Sequence, residues 1–268
     1  MLVSFSTLAC PKWRWEKILD QARQFGYDGI EIRGIEGEMD LSRLKPFFPE
    51  HIEKTLENLR ERQLKISCLD TSCSFAEVEK FVRSIEEGQI AIDLAQKLDC
   101  RFIRVFADSA PIVNMDDALL DRIASGLDIL GSYAIGKDVS VLIETHGAFS
   151  TGDMMARLLE HVKRPEVGVL WDITNGYIDY GEPIAVTCRK LGSLIRHTHI
   201  KDAQGTYPHA GLCLFGQGVM SAAEIIGLLA SIGYTGWLSL EWEKMWHPEL
   251  EEPEIALDGY IRHMRIAL

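Results

Sequence analysis

Apolar positions along this chain alternate between two spacings. Short, mainly apolar runs bounded by glycine, proline or charged residues read as strands: LVSFST (2–7), GIEIRG (29–34), KISCLD (65–70), FIRVFA (102–107), VSVLIETH (139–146), VGVLWD (167–172), LIRHTHIK (194–201) and WLSLEW (237–242). Between them, apolar residues recur at three- and four-residue steps, as in Trp15, Ile18, Leu19, Ala22 and Phe25. The same spacing joins Ile52, Leu56 and Leu59, then Phe81, Ile85, Ile92, Ala95 and Leu98, then Leu119, Ile123, Leu127 and Leu130. This is the period of a helix with one buried face. Further helices are expected over 154–162, 183–191, 222–232 and 253–263, with Thr151 and Ser221 as N-caps.

Each strand is thus followed by a helix, and no shift in composition interrupts the series. A doubly wound sheet usually stops at five to seven strands and opens on a glycine-rich phosphate turn; no GxGxxG follows the first strand here. The pattern predicts an α/β chain folded as a single (β/α)8 barrel, the TIM-barrel arrangement, over residues 1–268. Segments 21–33 (QARQFGYDGIEIR) and 231–242 (SIGYTGWLSLEW) share one plan: helix end, Gly, aromatic, a second Gly, apolar strand, Glu. The first Gly reads as a helix stop. One connection is long, residues 202–220, and follows directly on a rim strand; it is expected to cover a substrate, an extra hairpin being the alternative.

The length of 268 residues suits one such barrel, and 47% hydrophobic content suffices for its core. A net charge of −12 opposes binding to a phosphate backbone, so nucleic acid is not expected as a partner. No run approaches the ~20 apolar residues that span a bilayer, and the start MLVSFSTLACPKW lacks the basic and long apolar regions of a signal peptide. The expectation is a cytoplasmic protein without a membrane partner. Its six cysteines form no CxxC pair, and buried free thiols are expected.

Candidate chemistry lies near the ends of the last four strands, at Glu144, Asp172, His199 and Glu241. In a closed parallel barrel these ends meet on one rim. Alternation along a strand places Glu144 with His146, His197 with His199, and Ser239 with Glu241 and Glu243. Three carboxylates brought together out of water require positive charge, protonation or a metal. The set suits one hard or borderline divalent ion; the competing arrangement is a salt-bridge network with Lys201, Arg196 and Arg33.

In order and spacing, the DGIEIR, IETH, WDITN, HTHIKD, FGQG and SLEWE segments resemble the xylose isomerase-like barrel superfamily, in particular its sugar isomerase and 3-epimerase branch, over essentially the whole chain. The resemblance implies one divalent ion (Mn²⁺ first, with Mg²⁺, Co²⁺ or Zn²⁺ as others) held by Glu144, Asp172, His199 and Glu241. It further implies a small carbohydrate or polyol substrate, with Glu144 and Glu241 as the acid/base pair working through an enediolate. Glu31, Arg104, His146 and Lys201 resemble substrate contacts, with interior salt bridges as the other role. Asn175 stands where many relatives carry a substrate-binding His, which alters hydroxyl recognition because an amide does not titrate. His209 could reach a substrate hydroxyl, and Trp246 could stack on a sugar, whereas Trp242 alternates away from Glu241. A homo-oligomer is also implied by the resemblance.

Within the same superfamily, a lyase, such as an inosose-type dehydratase or an enzyme of keto-glycoside elimination, would use the same metal and bases. An abasic-site endonuclease would need additional His ligands at strand ends, which are not found. A non-catalytic sugar-binding protein would not need the intact ligand set.

Overall fold

The computed structural model describes residues 1–108, 115–205 and 207–268. Eight parallel strands close a barrel: β1 (Leu2–Ser6), β2 (Gly29–Ile32), β3 (Lys65–Ser74), β4 (Phe102–Phe106), β5 (Ser140–Glu144), β6 (Val167–Asp172), β7 (Ile195–Ile200) and, after a small antiparallel hairpin of β8 (Asp202–Gln204) and β9 (Gly211–Cys213), β10 (Trp237–Leu240). Around the barrel the order is β1-β10-β7-β6-β5-β4-β3-β2, so β10 pairs with β1 to complete the ring. The expected (β/α)8 barrel is therefore observed.

The helices are α1 (Trp15–Phe25), α2 (Ile52–Arg62), α3 (Val78–Lys97), α4 (Asp117–Ala134), α5 (Gly152–Leu159), α6 (Asn175–Tyr180), α7 (Ile184–Leu191), α8 (Ala222–Ser231) and α9 (Pro253–Ala267). Thr151 and Ser221 cap α5 and α8 as expected, accepting from the Met154 and Glu224 N–H groups. The helix stops also hold: Gly26 ends α1 at φ +87°, and Gly233 follows α8 at φ +74°. The aromatics after them are buried and tied down, Tyr27 donating to Leu257 O (2.7 Å) and Tyr234 to Trp237 O (2.7 Å). Glycine at 29 has a packing reason, because a Cβ there would lie 2.7 Å from both Lys65 O and the Trp237 ring.

Outward-facing strand residues such as Phe5, Ile30, Leu69, Ile103, Val141, Val169 and Trp171 pack on helix residues including Ile18, Leu19, Ile92, Ile123 and Leu127, forming the main core. Inside the barrel, Cys68, Leu142 and Leu170 pack with Phe102 in a separate small cluster. The rest of the interior is polar. Glu31, Asp70, Arg104, Glu144, Asp172, His197, His199 and Lys201 are all buried. Such a layer costs desolvation and persists only when its charges are matched.

Several expected strands end early on the rim: 139–146 shortens to Ser140–Glu144, and 29–34 to Gly29–Ile32. Threonine hydroxyls bridge neighbouring strands and loops at this rim. Thr145 Oγ1 accepts from Asp172 N (2.8 Å), Thr174 Oγ1 donates to Lys201 O (2.7 Å), and Thr71 Oγ1 donates to Arg104 O (2.7 Å). Helix α6 was not anticipated, since its six residues are too few to display a period. The long connection folds into a hairpin, but not one set apart from the rim, since its Ala210, Gly211 and Leu212 line the rim cavity; all six cysteines are free and buried. No helix among the described residues is long and apolar enough to cross a membrane.

Candidate metal centre and active site

Glu144 ends β5, Asp172 ends β6, His199 is the last residue but one of β7, and Glu241 directly follows β10. One side-chain donor atom from each lies within 4.8 Å of the others, so four strand ends converge as the alternation predicts. His199 Nδ1 faces Glu144 Oε1 at 3.3 Å and Glu241 Oε1 at 3.2 Å. Its other nitrogen, Nε2, bonds Glu31 Oε1, while the second oxygen of Glu31 meets His197 Nε2 at 2.5 Å. Glu31 thereby fixes the ring so that Nδ1 points into the cluster.

Asp172 divides its two oxygens between structure and site. Oδ1 accepts from Thr174 N and Asn175 N (2.9 Å each), anchoring the start of α6. Oδ2 and Glu144 Oε2 are buried and make no regular hydrogen bond, each facing a cation instead. Three carboxylates and one imidazole, buried together with one donor atom of each converging, are a donor set that fits a hard or borderline divalent cation. A second group of potential donors, Glu31 with His197 and His199, lies deeper, but its oxygens and Nε2 atoms already satisfy one another.

Cations surround the cluster. Arg104 places Nε 3.1 Å from Glu144 Oε2 and Nη2 3.5 Å from Asp70 Oδ2, and donates Nη1 to Thr71 O at 3.0 Å. Lys201 Nζ stands 2.9 Å from Asp172 Oδ2, 2.8 Å from Glu241 Oε2 and 2.5 Å from Glu243 Oε1. Of the competing salt-bridge network, Lys201 takes part and Arg196 does not: Arg196 bonds Ser140 Oγ, Glu166 O and Pro165 O.

The proton affinities follow from this geometry. Burial disfavours the charge of Glu241, yet Lys201 and His199 outweigh it and hold its carboxyl well below the usual range. Burial is likewise overcome at Glu144 by Arg104 and His199, with Glu241 opposing them. At Asp172 burial wins: with Glu241 and Glu144 adding to it against Lys201, the carboxyl is pushed up to about 7. Burial opposes the imidazolium of His199, but Glu31, Glu241 and Glu144 raise it well above its ordinary range.

A cavity of ≈ 610 Å³ opens onto the cluster. Of the expected substrate contacts, Arg104, His146, Asn175, Lys201 and Trp246 line it, together with Glu144 and Glu241. Asn175 is held by its own amide, which donates to Thr145 O at 3.1 Å. His146 lies over the Phe106 ring (4.8 Å between centroids), and Trp246 is half exposed at the mouth. Trp242 is buried and donates to Glu251 O, away from the cavity as expected.

Two expected contacts are placed elsewhere. Glu31 is completely buried and occupied by the two histidines, and exposed His209 is not on the cavity wall, where its neighbours Ala210, Gly211 and Leu212 are. The sequence reading set Glu243 beside Glu241 and Arg33 in the competing salt-bridge network without making either a site residue; both line the cavity. Alternation from Glu241 marks Glu243, and alternation from Glu31 marks Arg33.

Residues 19–264 match the profile of the xylose isomerase-like TIM barrel family. A curated relative is fructoselysine 3-epimerase of Shigella flexneri, 24% identical over 94% of this chain and 93% of the relative. Among solved structures, the probable 3-DHS dehydratase AsbF of Bacillus anthracis superposes with a TM-score of 0.81 at 20% identity, over 98% of both chains. A xylose isomerase-like TIM barrel protein of Mycobacterium smegmatis, in complex with magnesium, superposes with a TM-score of 0.79 at 18% identity, over 99% of this chain and 96% of that one. With its closed barrel and the match over residues 19–264, the chain belongs to the xylose isomerase-like TIM barrel family.

Proposed function

We propose that this protein is a divalent-metal-dependent sugar isomerase or epimerase that moves a proton on the carbon next to a carbonyl. The observation that carries this reading is the pairing of Glu144 and Glu241, two carboxylates that share one cluster and line one cavity while each is held ionised by its own cation. Glu144, Asp172, His199 and Glu241 would hold the ion. Bound there, it supplies a Lewis acid that polarises the substrate's carbonyl and adjacent hydroxyl oxygens.

One of the two glutamates removes the proton from carbon, leaving an enediolate, and the other returns a proton, to the opposite face for epimerisation. Arg104 and Lys201 favour the ionised form of each glutamate, the form that accepts; the returning glutamate therefore takes up a proton from solvent before it delivers one to the enediolate, and the accepting one releases its proton afterwards. Arg104, His146, Asn175 and Lys201 orient the substrate's oxygens, and Leu8, Phe106 and Trp246 provide the apolar wall against which its carbon skeleton rests. Glu31 acts through His199 as a positioning residue. The relative that is a fructoselysine 3-epimerase supports a carbohydrate substrate.

Incubation of the Mn²⁺-loaded protein with a panel of ketoses in deuterated water tests this reading. Deuterium is expected beside the carbonyl, and Glu144→Gln or Glu241→Gln is expected to slow its entry by at least ~10² with the fold intact. Undiminished exchange in either variant would remove that residue from the acid/base pair. A product lighter by one water would move the reaction from isomerisation to elimination.

A further inference from the structure

Three buried Lys and Arg side chains stand at the rim, and two of them are neutralised. Arg104 lies between Glu144 and Asp70, and Lys201 lies among Asp172, Glu241 and Glu243. Arg33 has no such partner. Among the described residues no carboxylate oxygen comes within 4.0 Å of its guanidinium. Its Nη2 donates to the neutral Ser72 Oγ at 2.7 Å, and its Nη1 is buried with no hydrogen-bond partner. The residue is only 7% exposed, yet it lines the same cavity as Glu144 and Glu241.

Arg33 is also held in place. Its own N–H and that of Gly34 donate to Thr7 Oγ1 at 3.0 and 3.2 Å, which pins the end of β2 from which the side chain leaves. Burial and the neighbouring Arg104 lower its pKa to about 10 against the opposing pull of Asp70, Glu87 and Glu144, none of which pairs with it directly, so the guanidinium still carries its charge at neutral pH. A buried charge with an unmade donor is costly, and a planar guanidinium matches the paired oxygens of a carboxylate or phosphate. A sugar hydroxyl would fill the donor but leave the charge and the repulsion from Arg104 in place.

We infer that the substrate carries an oxyanion, a carboxylate or a phosphate, which Arg33 binds in the cavity that Glu144 and Glu241 share. The inference deepens the isomerase reading and rests on it: the carbonyl end reaches the cluster and the anionic end reaches Arg33.

Calorimetric titration of the Mn²⁺-loaded protein with D-fructose, D-fructose 6-phosphate and 5-keto-D-gluconate tests it, since the last two carry a phosphate or a carboxylate four carbons from the carbonyl. At least one anionic ketose is expected to bind ~10-fold or more tightly than fructose. Which of them does so identifies the anion. Arg33→Met should abolish the preference, and Arg33→Lys should retain part of it. Equal binding of all three sugars by the wild-type protein would overturn the inference, as would an undiminished preference in Arg33→Met. Should Arg33→Met not fold, the wild-type comparison together with Arg33→Lys decides. Because binding is read without turnover, the two readings can fail separately: an anionic preference without deuterium exchange would sink only the isomerase reading, and exchange with no anionic preference only this one.

Discussion

Glu31 remains ionised without touching solvent because His197 and His199 share its two oxygens, an arrangement that outweighs the burial opposing its charge. Its carboxylate fixes the His199 ring, so Glu31→Gln is expected to weaken divalent-metal binding about 10- to 100-fold, the usual scale for a group behind a metal-ligating histidine. Titration of Mn²⁺ into wild-type and variant protein checks this, and equal affinities would reduce Glu31 to a packing role. The four residues of the cluster were legible because each stands at a strand end, where alternation alone fixes the facing direction. The histidine contacts of Glu31 were not, because 166 residues separate it from His197 and only the closed ring brings them across the barrel. The cysteines give a second residue-scale expectation. Burial pushes the Cys73 and Cys100 thiols up to about 12, so at pH 8 only about one in ten thousand would be thiolate. Thiol-reactive dye should label neither until the protein is unfolded; rapid labelling of the native protein would contradict their burial.

Among the elements, the connection after β7 is organised by Asp202, a residue no catalytic argument would choose. Its Oδ1 accepts from Ala203 N and Met220 N (2.8 and 2.9 Å), and its Oδ2 from Gly216 N and Gly218 N (2.9 Å each). One buried carboxylate thus ties the hairpin to the FGQG turn. A Cβ on Gly218 would lie 2.2 Å from Ala203 O, so that glycine answers to close backbone approach. Asp202→Ala leaves four donors without their acceptor and should cost about 2–4 kcal/mol, read as a lower Tm and faster proteolysis within residues 205–218. Unchanged cleavage would show that the loop holds itself. The turn itself was visible in the sequence from its glycines. Its anchor was not, because four backbone N–H groups leave no side-chain pattern to read. Helix α6 escaped for a related reason: what fixes its start is Asp172 Oδ1 on the Thr174 and Asn175 amides, and the same carboxylate had been read only as a ligand.

Across the whole molecule, the closed ring converts separate strand ends into one charged layer, and the eight-unit pattern was readable because each strand and helix kept its own period. Register was less accessible. The shifts between Val169 and Leu170 and between Asp70 and Ser74 depend on how neighbouring strands meet, which no single run records. Because binding joins four strands of the ring, a divalent ion should stabilise the entire barrel. At an ion concentration ~100 times Kd the gain is about 2.7 kcal/mol, or roughly 5–10 °C in Tm, lost again on chelation. The most direct test of the metal centre is anomalous diffraction from crystals soaked in Mn²⁺. A single strong peak bounded by Glu144, Asp172, His199 Nδ1 and Glu241 is predicted. A peak between Glu31, His197 and His199, or no peak with Lys201 still seated on Asp172 and Glu241, would contradict it.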